Sequence, residues 1–345
     1  MFISINKNVI LISLYLIPLL LIIGTSIANL GISLAAFSFI ILTLYEKKWK
    51  YYNSLFFKLF ILWWSLLIIS SLLSEDLIFS LSSSLFYLRF GLLTLSIWYI
   101  LDHQKEFIKY FTAILSITFL LVIADSYIQY FSGSNLMGIE YTKGRLSSFF
   151  GDELIVGNYL SRLYPLLIGL VFLNYYKNNY YLIFIVFSLV AIDLIIYLSG
   201  ERVAFLNLII LTFLIILLVE KWKKIRILTF LVTILMILFV TLTNQNVKTR
   251  MYDHTLDQIS NSGKIHIFSE EHENFYIASI KMFSDYPFFG IGPKMYRVVC
   301  EDERYYYKSK NTNLHTCSTS PHGIYPQLLA ETGAIGTTFV FGFFI

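Results

Sequence analysis

The chain reads as an all-α polytopic membrane bundle of about ten spans, and three observations say so. Hydrophobic residues make up 57% of its 345 residues and charged ones only 14%, against roughly a quarter in a soluble chain. The apolar residues come in runs of about 20, the length that carries a helix across a bilayer. Short joints rich in aromatic and basic residues separate these runs, as at membrane–water interfaces. Only internally hydrogen-bonded backbone survives in hydrocarbon, so each run is expected to be a helix.

The expected spans are 9–24, 27–45, 54–73, 84–101, 108–131, 153–174, 180–199, 203–219 and 227–243, with a last one beginning near 323. The first resembles a signal peptide in its apolar stretch. It lacks a small-residue cleavage site and a polar mature start, and a second apolar run follows at once, so a retained helix is expected. Gly24-Thr25-Ser26 makes the first joint a tight turn. Trp49, Tyr51 and Tyr52, Trp63 and Trp64, Tyr175, Tyr176, Tyr180 and Tyr181, and Trp222 suit interfacial belts. No internal repeat is visible, and residues 1–345 are expected to form one integral membrane domain. The chain stops inside its last apolar segment, at Phe341-Gly342-Phe343-Phe344-Ile345, which suggests truncation.

The net charge of +4 is spread over short basic clusters between the apolar runs, a pattern that reports topology and not nucleic-acid binding. With the N-terminus cytoplasmic, the cytoplasmic joints hold Lys47, Lys48 and Lys50, then Lys105 and Lys109, then Lys177, then Lys221, Lys223, Lys224 and Arg226. The opposite short joints hold only Lys143, Arg145 and Arg202, with Arg89 just inside a helix as an interfacial anchor. The long polar segment 244–321 then falls outside as a loop between the last two spans. It contains both cysteines, Cys300 and Cys317, which in an oxidising compartment are either bridged or two free thiols. Zinc-ribbon, P-loop and dinucleotide patterns are lacking, so no cofactor and no metal is expected. His266 through Glu273 is rich in His and Glu but matches no zincin spacing.

Three outer-face features share one side of the membrane under this topology. The first is Gly144-Arg145-Leu146-Ser147-Ser148-Phe149-Phe150-Gly151-Asp152, running into a helix with Asn158 and Arg162. The second is Ser199-Gly200-Glu201-Arg202 at a one-turn joint. The third is His322, where the polar segment meets the last apolar run. Arginine near hydrocarbon is costly and always charged, so it is paired or faces an aqueous cavity, and its planar fork suits phosphate oxygens. The plain alternatives are a salt bridge from Arg202 to Glu201, a loop cation at Arg145, and a pair from Arg162 to Asp152 or Glu153. Asp125 and Asp193 sit within or near spans and need partners. An imidazole, with an ordinary pKa of about 6.5, takes a proton from a sugar hydroxyl at neutral pH; the plain reading of His322 is a loop histidine capping the next helix. Glu331 lies nine residues on, and Gly333 and Gly336 allow close helix approach. Asp285-Tyr286-Pro287-Phe288-Phe289-Gly290-Ile291-Gly292-Pro293 reads as an ordered turn.

From about 140 to 340 the chain resembles the O-antigen ligase/polymerase family of bacterial inner-membrane proteins. The residues that carry the likeness are the Arg145 loop running into Asn158, Ser-Gly-Glu-Arg202-Val-Ala-Phe, the Asp-Tyr-Pro-Phe-Phe-Gly290-Ile-Gly292 turn, and His322-Gly-Ile-Tyr325-Pro-Gln-Leu-Leu-Ala-Glu331-Thr-Gly333-Ala-Ile-Gly336. The resemblance implies a glycosyltransferase in surface-polysaccharide synthesis. It would move a glycan from undecaprenyl diphosphate to an acceptor hydroxyl, on lipid A–core or a growing lipid-linked glycan. It would work on the periplasmic face, without metal or nucleotide sugar and with inversion. It implies His322 as the catalytic group, Arg145, Arg202 and Arg250 on the diphosphate, and Glu201, Glu331, Asn158 and Tyr325 in support. There are departures: Gly323 replaces the family's amide, Pro326 sits in the first helical turn, and Glu271-His272-Glu273-Asn274-Phe275 stands where many members carry an arginine, so that Arg250 substitutes or the contact is absent. The competing class is a transporter or flippase of lipid-linked glycans, which should show charged or broken helices near the midplane.

Overall fold

The computed structural model describes residues 2–142, 144–175, 179–260, 270–306 and 316–344. The described residues are overwhelmingly helical, and their only β pairing is two isolated bridges, Ser134 with Glu140 and Thr142 with Arg145. The helices are α1 (Phe2–Ile23), α2 (Thr25–Glu46), α3 (Leu55–Leu72), α4 (Leu77–His103), α5 (Phe107–Ser132), α6 (Val156–Tyr175), α7 (Asn179–Leu198), α8 (Arg202–Leu218), α9 (Glu220–Thr243), α10 (Gln245–Lys248), α11 (His254–Ser260), α12 (Glu270–Asp285), α13 (Tyr296–Val299) and α14 (Ile324–Phe344). Among the described residues seven helices are long and apolar enough to cross a membrane, namely α1 to α6 and α9, with shorter apolar stretches at Val186–Leu198 and Arg202–Leu218. The all-α polytopic class is therefore as expected. Lys143, Lys177 and His266 lie outside the described residues.

The chain divides into two compact units. One comprises Met1–Ile10, Ile32–Tyr99 and Gln258–Ile345; the other comprises Leu11–Gly31 and Ile100–Asp257. Apolar contact alone does little to hold helices together in lipid, so packing and polar links decide. In the second unit Tyr127 Oη donates to Ala191 O at 3.1 Å, tying α5 to α7. Tyr197 Oη meets Thr241 Oγ1 at 2.8 Å, tying α7 to α9. Tyr159 Oη donates to Pro18 O at 2.8 Å, tying α6 to α1. At the centre Arg226 of α9 grips Asp193 of α7 with both terminal nitrogens, at 2.8 and 3.3 Å, and also bonds Thr212 of α8. Thr233 Oγ1 adds a bond to Asp193 at 3.3 Å, and both charged side chains are fully buried. Arg226, counted in the sequence as a cytoplasmic anchor, is instead the inner member of a three-helix ion-pair network. Asp193 thereby has the partner it needs.

The first unit is built around a broken helix. The expected last span from about 323 does not form as a straight rod, and α14 is not among the membrane-length helices. Gly333 interrupts it with φ 63 and ψ −165, a conformation essentially reserved for glycine. Tyr325 and Phe341 are 16 residues apart, about 24 Å along a straight helix, yet their rings stack at 5.3 Å. The two arms of α14 therefore fold towards each other at Gly333. The 285–293 turn docks into the break and replaces the hydrogen bonds the helix loses there. Ile291 N donates to Ala330 O at 2.9 Å, Gly292 N to Glu331 O at 3.1 Å, Ala334 N to Pro287 O at 2.7 Å and Ile335 N to Phe288 O at 3.2 Å. The approach is so close that a Cβ on Gly333 would lie 2.4 Å from the Phe288 carbonyl, and one on Gly290 2.4 Å from the Glu331 carbonyl carbon.

Serines of α3 and α4 complete this joint. Ser70 Oγ lies 2.7 Å from Phe289 O and 2.9 Å from Glu331 O, and Ser80 Oγ donates to Pro293 O at 3.0 Å. The sequence places the start of the α4 span at 84, after Ser80, Ser82 and Ser83. The helix nevertheless begins at Leu77, because the described serine hydroxyls find internal acceptors, Ser84 on Ser80 O and Ser82 on Phe79 O. The polar segment expected as a loop from 244 to 321 holds α10 to α13, and α12 packs on α14. Cys300 and Cys317 form a disulfide there.

Candidate active site

In the second unit, three loops build one cationic cluster. Two residues a turn apart on α5 hold the first loop. Asp125 accepts from Leu136 N at 2.9 Å and Ser148 Oγ at 2.8 Å. Gln129 accepts from Ser147 N at 3.0 Å and Ser148 N at 2.9 Å. These buried acceptors fix the segment that carries Arg145, whose Nη2 donates to Leu154 O at 2.9 Å. The second loop is the α7–α8 joint. Gly200, at φ +72, lets three segments meet: a Cβ there would lie 2.6 Å from Gly144 O, 3.0 Å from Arg145 Cγ and 3.2 Å from Arg250 Cγ. The third is a π turn, Thr249–Asp253, just past α10, whose Arg250 Nε donates to Gly200 O at 3.1 Å. Single π turns in helical chains are frequent at functional sites.

Glu201 is committed to scaffolding. Its carboxylate accepts from Gly157 N at 2.7 Å, from Asn158 N at 3.3 Å and from Asn158 Nδ2, which caps the N-terminus of α6. Gly157 has no side chain because a Cβ would lie 2.2 Å from Ser199 Oγ. Burial pushes the Glu201 carboxyl above its ordinary value, opposed by these hydrogen bonds and by Arg145. Burial, then the like charges of Arg145 and Arg202, pulls the Arg250 guanidinium below its ordinary value. The cluster thus groups three guanidinium groups beside a carboxylate already spent on a helix cap. Arg145 and Arg250 bond carbonyl oxygens, and Arg145 Nε is buried without a partner. Such a group has a surplus of donors and positive charge for a multivalent anion. Arg162 makes no ion pair with Asp152 or Glu153, so its expected structural pairing is not found.

His322, Glu331 and Tyr325 belong to the other unit. His322 is exposed, adopts the left-handed region at φ +53, and sits between buried Pro321 and Gly323. Its Nε2 is 3.0 Å from Ser318 Oγ, one residue past the disulfide at Cys317. Its ring lies 5.5 Å from that of Phe275 and 5.7 Å from that of His272, both on α12. Glu331 is buried next to the break in α14, takes a bond from Gln327 Nε2 at 3.1 Å, and lends its carbonyl to the docked turn. Tyr325, largely exposed, stacks on Phe341 across the bend of α14. Sequence reasoning met His272 only as part of a His/Glu-rich run and of the stretch where many relatives carry an arginine, and it passed over Ser318 and the serines of α3 and α4. The signal for His272 was its spacing with Phe275 and Tyr276, which puts all three on one helix face.

A family model described as O-antigen ligase matches residues 183–341. Over these residues the chain is similar to the O-antigen ligase family. The match takes in Arg202, Arg250, His272, His322 and Glu331, whereas Arg145 and Asn158 lie before it. No curated protein and no solved structure matches the chain. The apolar helices make this a multi-pass membrane protein, and the match supports a glycan-transferase role of the O-antigen ligase type.

Proposed function

We propose that the chain transfers a glycan from undecaprenyl diphosphate to an acceptor hydroxyl on the periplasmic face of the bacterial inner membrane. The observation that carries this reading is the close grouping of Arg145, Arg202 and Arg250, beside a Glu201 carboxylate engaged in capping α6. A lipid diphosphate gains negative charge as it leaves, and preorganised guanidinium groups stabilise that charge where another enzyme would use a metal. The acceptor oxygen attacks the anomeric carbon as the bond from that carbon to the phosphate oxygen breaks. The bonding pair leaves with the diphosphate, and the hydroxyl proton passes to His322. A single displacement of this kind inverts the anomeric centre. Asn158 and Glu201 hold the cluster, and Glu331 and the docked turn hold the His322 arm. Two acceptors fit the family, lipid A–core for a ligase and a second lipid-linked glycan for a polymerase.

The test uses the purified chain in nanodiscs with undecaprenyl-diphosphate glycan, with and without lipid A–core, in the presence of EDTA. Product only with lipid A–core means ligase, and a ladder from donor alone means polymerase. Arg250→Ala is expected to weaken donor binding at least about tenfold, as loss of one charge-assisted phosphate contact does, and His322→Ala to abolish transfer while leaving donor binding intact. Absence of diphosphate release with cognate donor and intact protein would sink the reading and favour transport.

A further inference from the structure

His272 and His322 come from segments 50 residues apart and from different elements, the first turn of α12 and the entry to α14. Their ring centres are 5.7 Å apart with planes at 59°. Phe275 walls both, at 6.2 Å from His272 and 5.5 Å from His322. The chain accepts an unfavourable backbone to set this up: His322 is one of four residues other than glycine with positive φ among those described, and such outliers cluster at functional sites. Gly323 is fitted to the same arrangement, since a Cβ there would lie 2.9 Å from the Tyr276 ring. His322 is exposed and His272 half-buried, so the pair opens outwards from an aromatic floor.

We propose that His272 is a second contact for the attacking acceptor hydroxyl, so that the site is a pair of imidazoles and not a lone histidine. This rests on the transfer reading given above. A hydroxyl both donates and accepts, and a neutral imidazole offers one donor and one acceptor. The hydroxyl donates its proton towards His322 and accepts an N–H from His272, which aims an oxygen lone pair at the anomeric carbon. Ser318 on His322 Nε2 fixes which ring nitrogen is left for the substrate.

The experiment compares wild type, His272→Phe and His272→Gln, each purified as the full chain in nanodiscs with undecaprenyl-diphosphate glycan and its cognate acceptor. His272→Phe keeps the aromatic wall and loses both polar nitrogens. Its acceptor-dependent kcat/KM is expected to fall about 30-fold, the loss of one hydrogen bond to a reacting group, with donor affinity and melting unchanged. His272→Gln restores a donor and an acceptor and is expected to return to within about fivefold of wild type. Full activity of His272→Phe would make the residue a mere wall and overturn the proposal. So would a parallel loss of donor affinity in His272→Phe, or failure of folded His272→Gln to recover. Inactivity of the wild type would instead overturn the transfer reading, and this inference with it.

Discussion

Removing one member of the Asp193–Arg226 pair is expected to cost far more than removing both, and the two single changes are expected to be unequal. Both side chains are fully buried, with bidentate contacts at 2.8 and 3.3 Å. In Arg226→Met, Asp193 keeps Thr233 at 3.3 Å and the neighbouring Tyr164 hydroxyl, and a carboxyl can escape an uncompensated charge by taking a proton. The expected loss is about 3 kcal/mol, the low end for breaking a buried pair. In Asp193→Leu the guanidinium cannot shed its charge. It retains Thr212 and the faces of Phe230 at 5.5 Å and Tyr164 at 5.9 Å, and the expected loss is about 5 kcal/mol. The double variant replaces the pair by apolar volume and is expected within about 1 kcal/mol of the parent. The assay is denaturant unfolding of the four purified proteins in one detergent, followed by tryptophan fluorescence. A double variant no more stable than the worse single, or a milder effect for Asp193→Leu than for Arg226→Met, would refute the argument.

Three further outcomes are expected. Gly333→Ala forces a side chain into positive φ and against the Phe288 carbonyl, and should destabilise the chain by at least about 3 kcal/mol, visible as loss of folded protein in detergent melting. Glu201→Gln weakens the cap on Gly157 and Asn158 and should lower stability by about 1–2 kcal/mol, with a matching drop in donor binding measured by titration; Glu201→Gln with unchanged melting would contradict the capping role. Replacing Cys300 and Cys317 together by serine opens a loop of 17 residues' separation and should cost about 3 kcal/mol. Because Cys317 adjoins Ser318, that variant should also lower acceptor turnover more than donor affinity.

Much of the arginine cluster was legible because the joints of a polytopic chain alternate sides, which puts Arg145, Arg202 and Arg250 at one end, and because arginine beside hydrocarbon needs a reason. The docked turn was legible in its glycines and prolines. Arg226 was not, because Lys221, Lys223 and Lys224 beside it make the natural pattern of an interfacial anchor. Its spacing to Thr229 and Thr233 on one helix face, with Asp193 unpartnered one hairpin earlier, was the available clue. The bend in α14 was hidden for a different reason. Glycine in an apolar run signals close packing or a backbone break alike, and only the turn lodged against Gly333 decides between them. His272 was masked by the acidic residues on either side, which make the segment read as solvated.

The serine joint has a consequence for how the chain is made. Ser70 shares its proton with two carbonyls, and the second of these, on Glu331, lies 261 residues further along. At roughly 5–20 residues per second, that acceptor emerges about 13 to 52 seconds after Ser70 itself. Until Phe289, 219 residues on, supplies the first of these carbonyls, the hydroxyl has only its own helix to bond, and Ser80 likewise lacks Pro293. The first unit is therefore a late assembly held open by its own translation, and anything that engages those serines during the wait competes directly with folding.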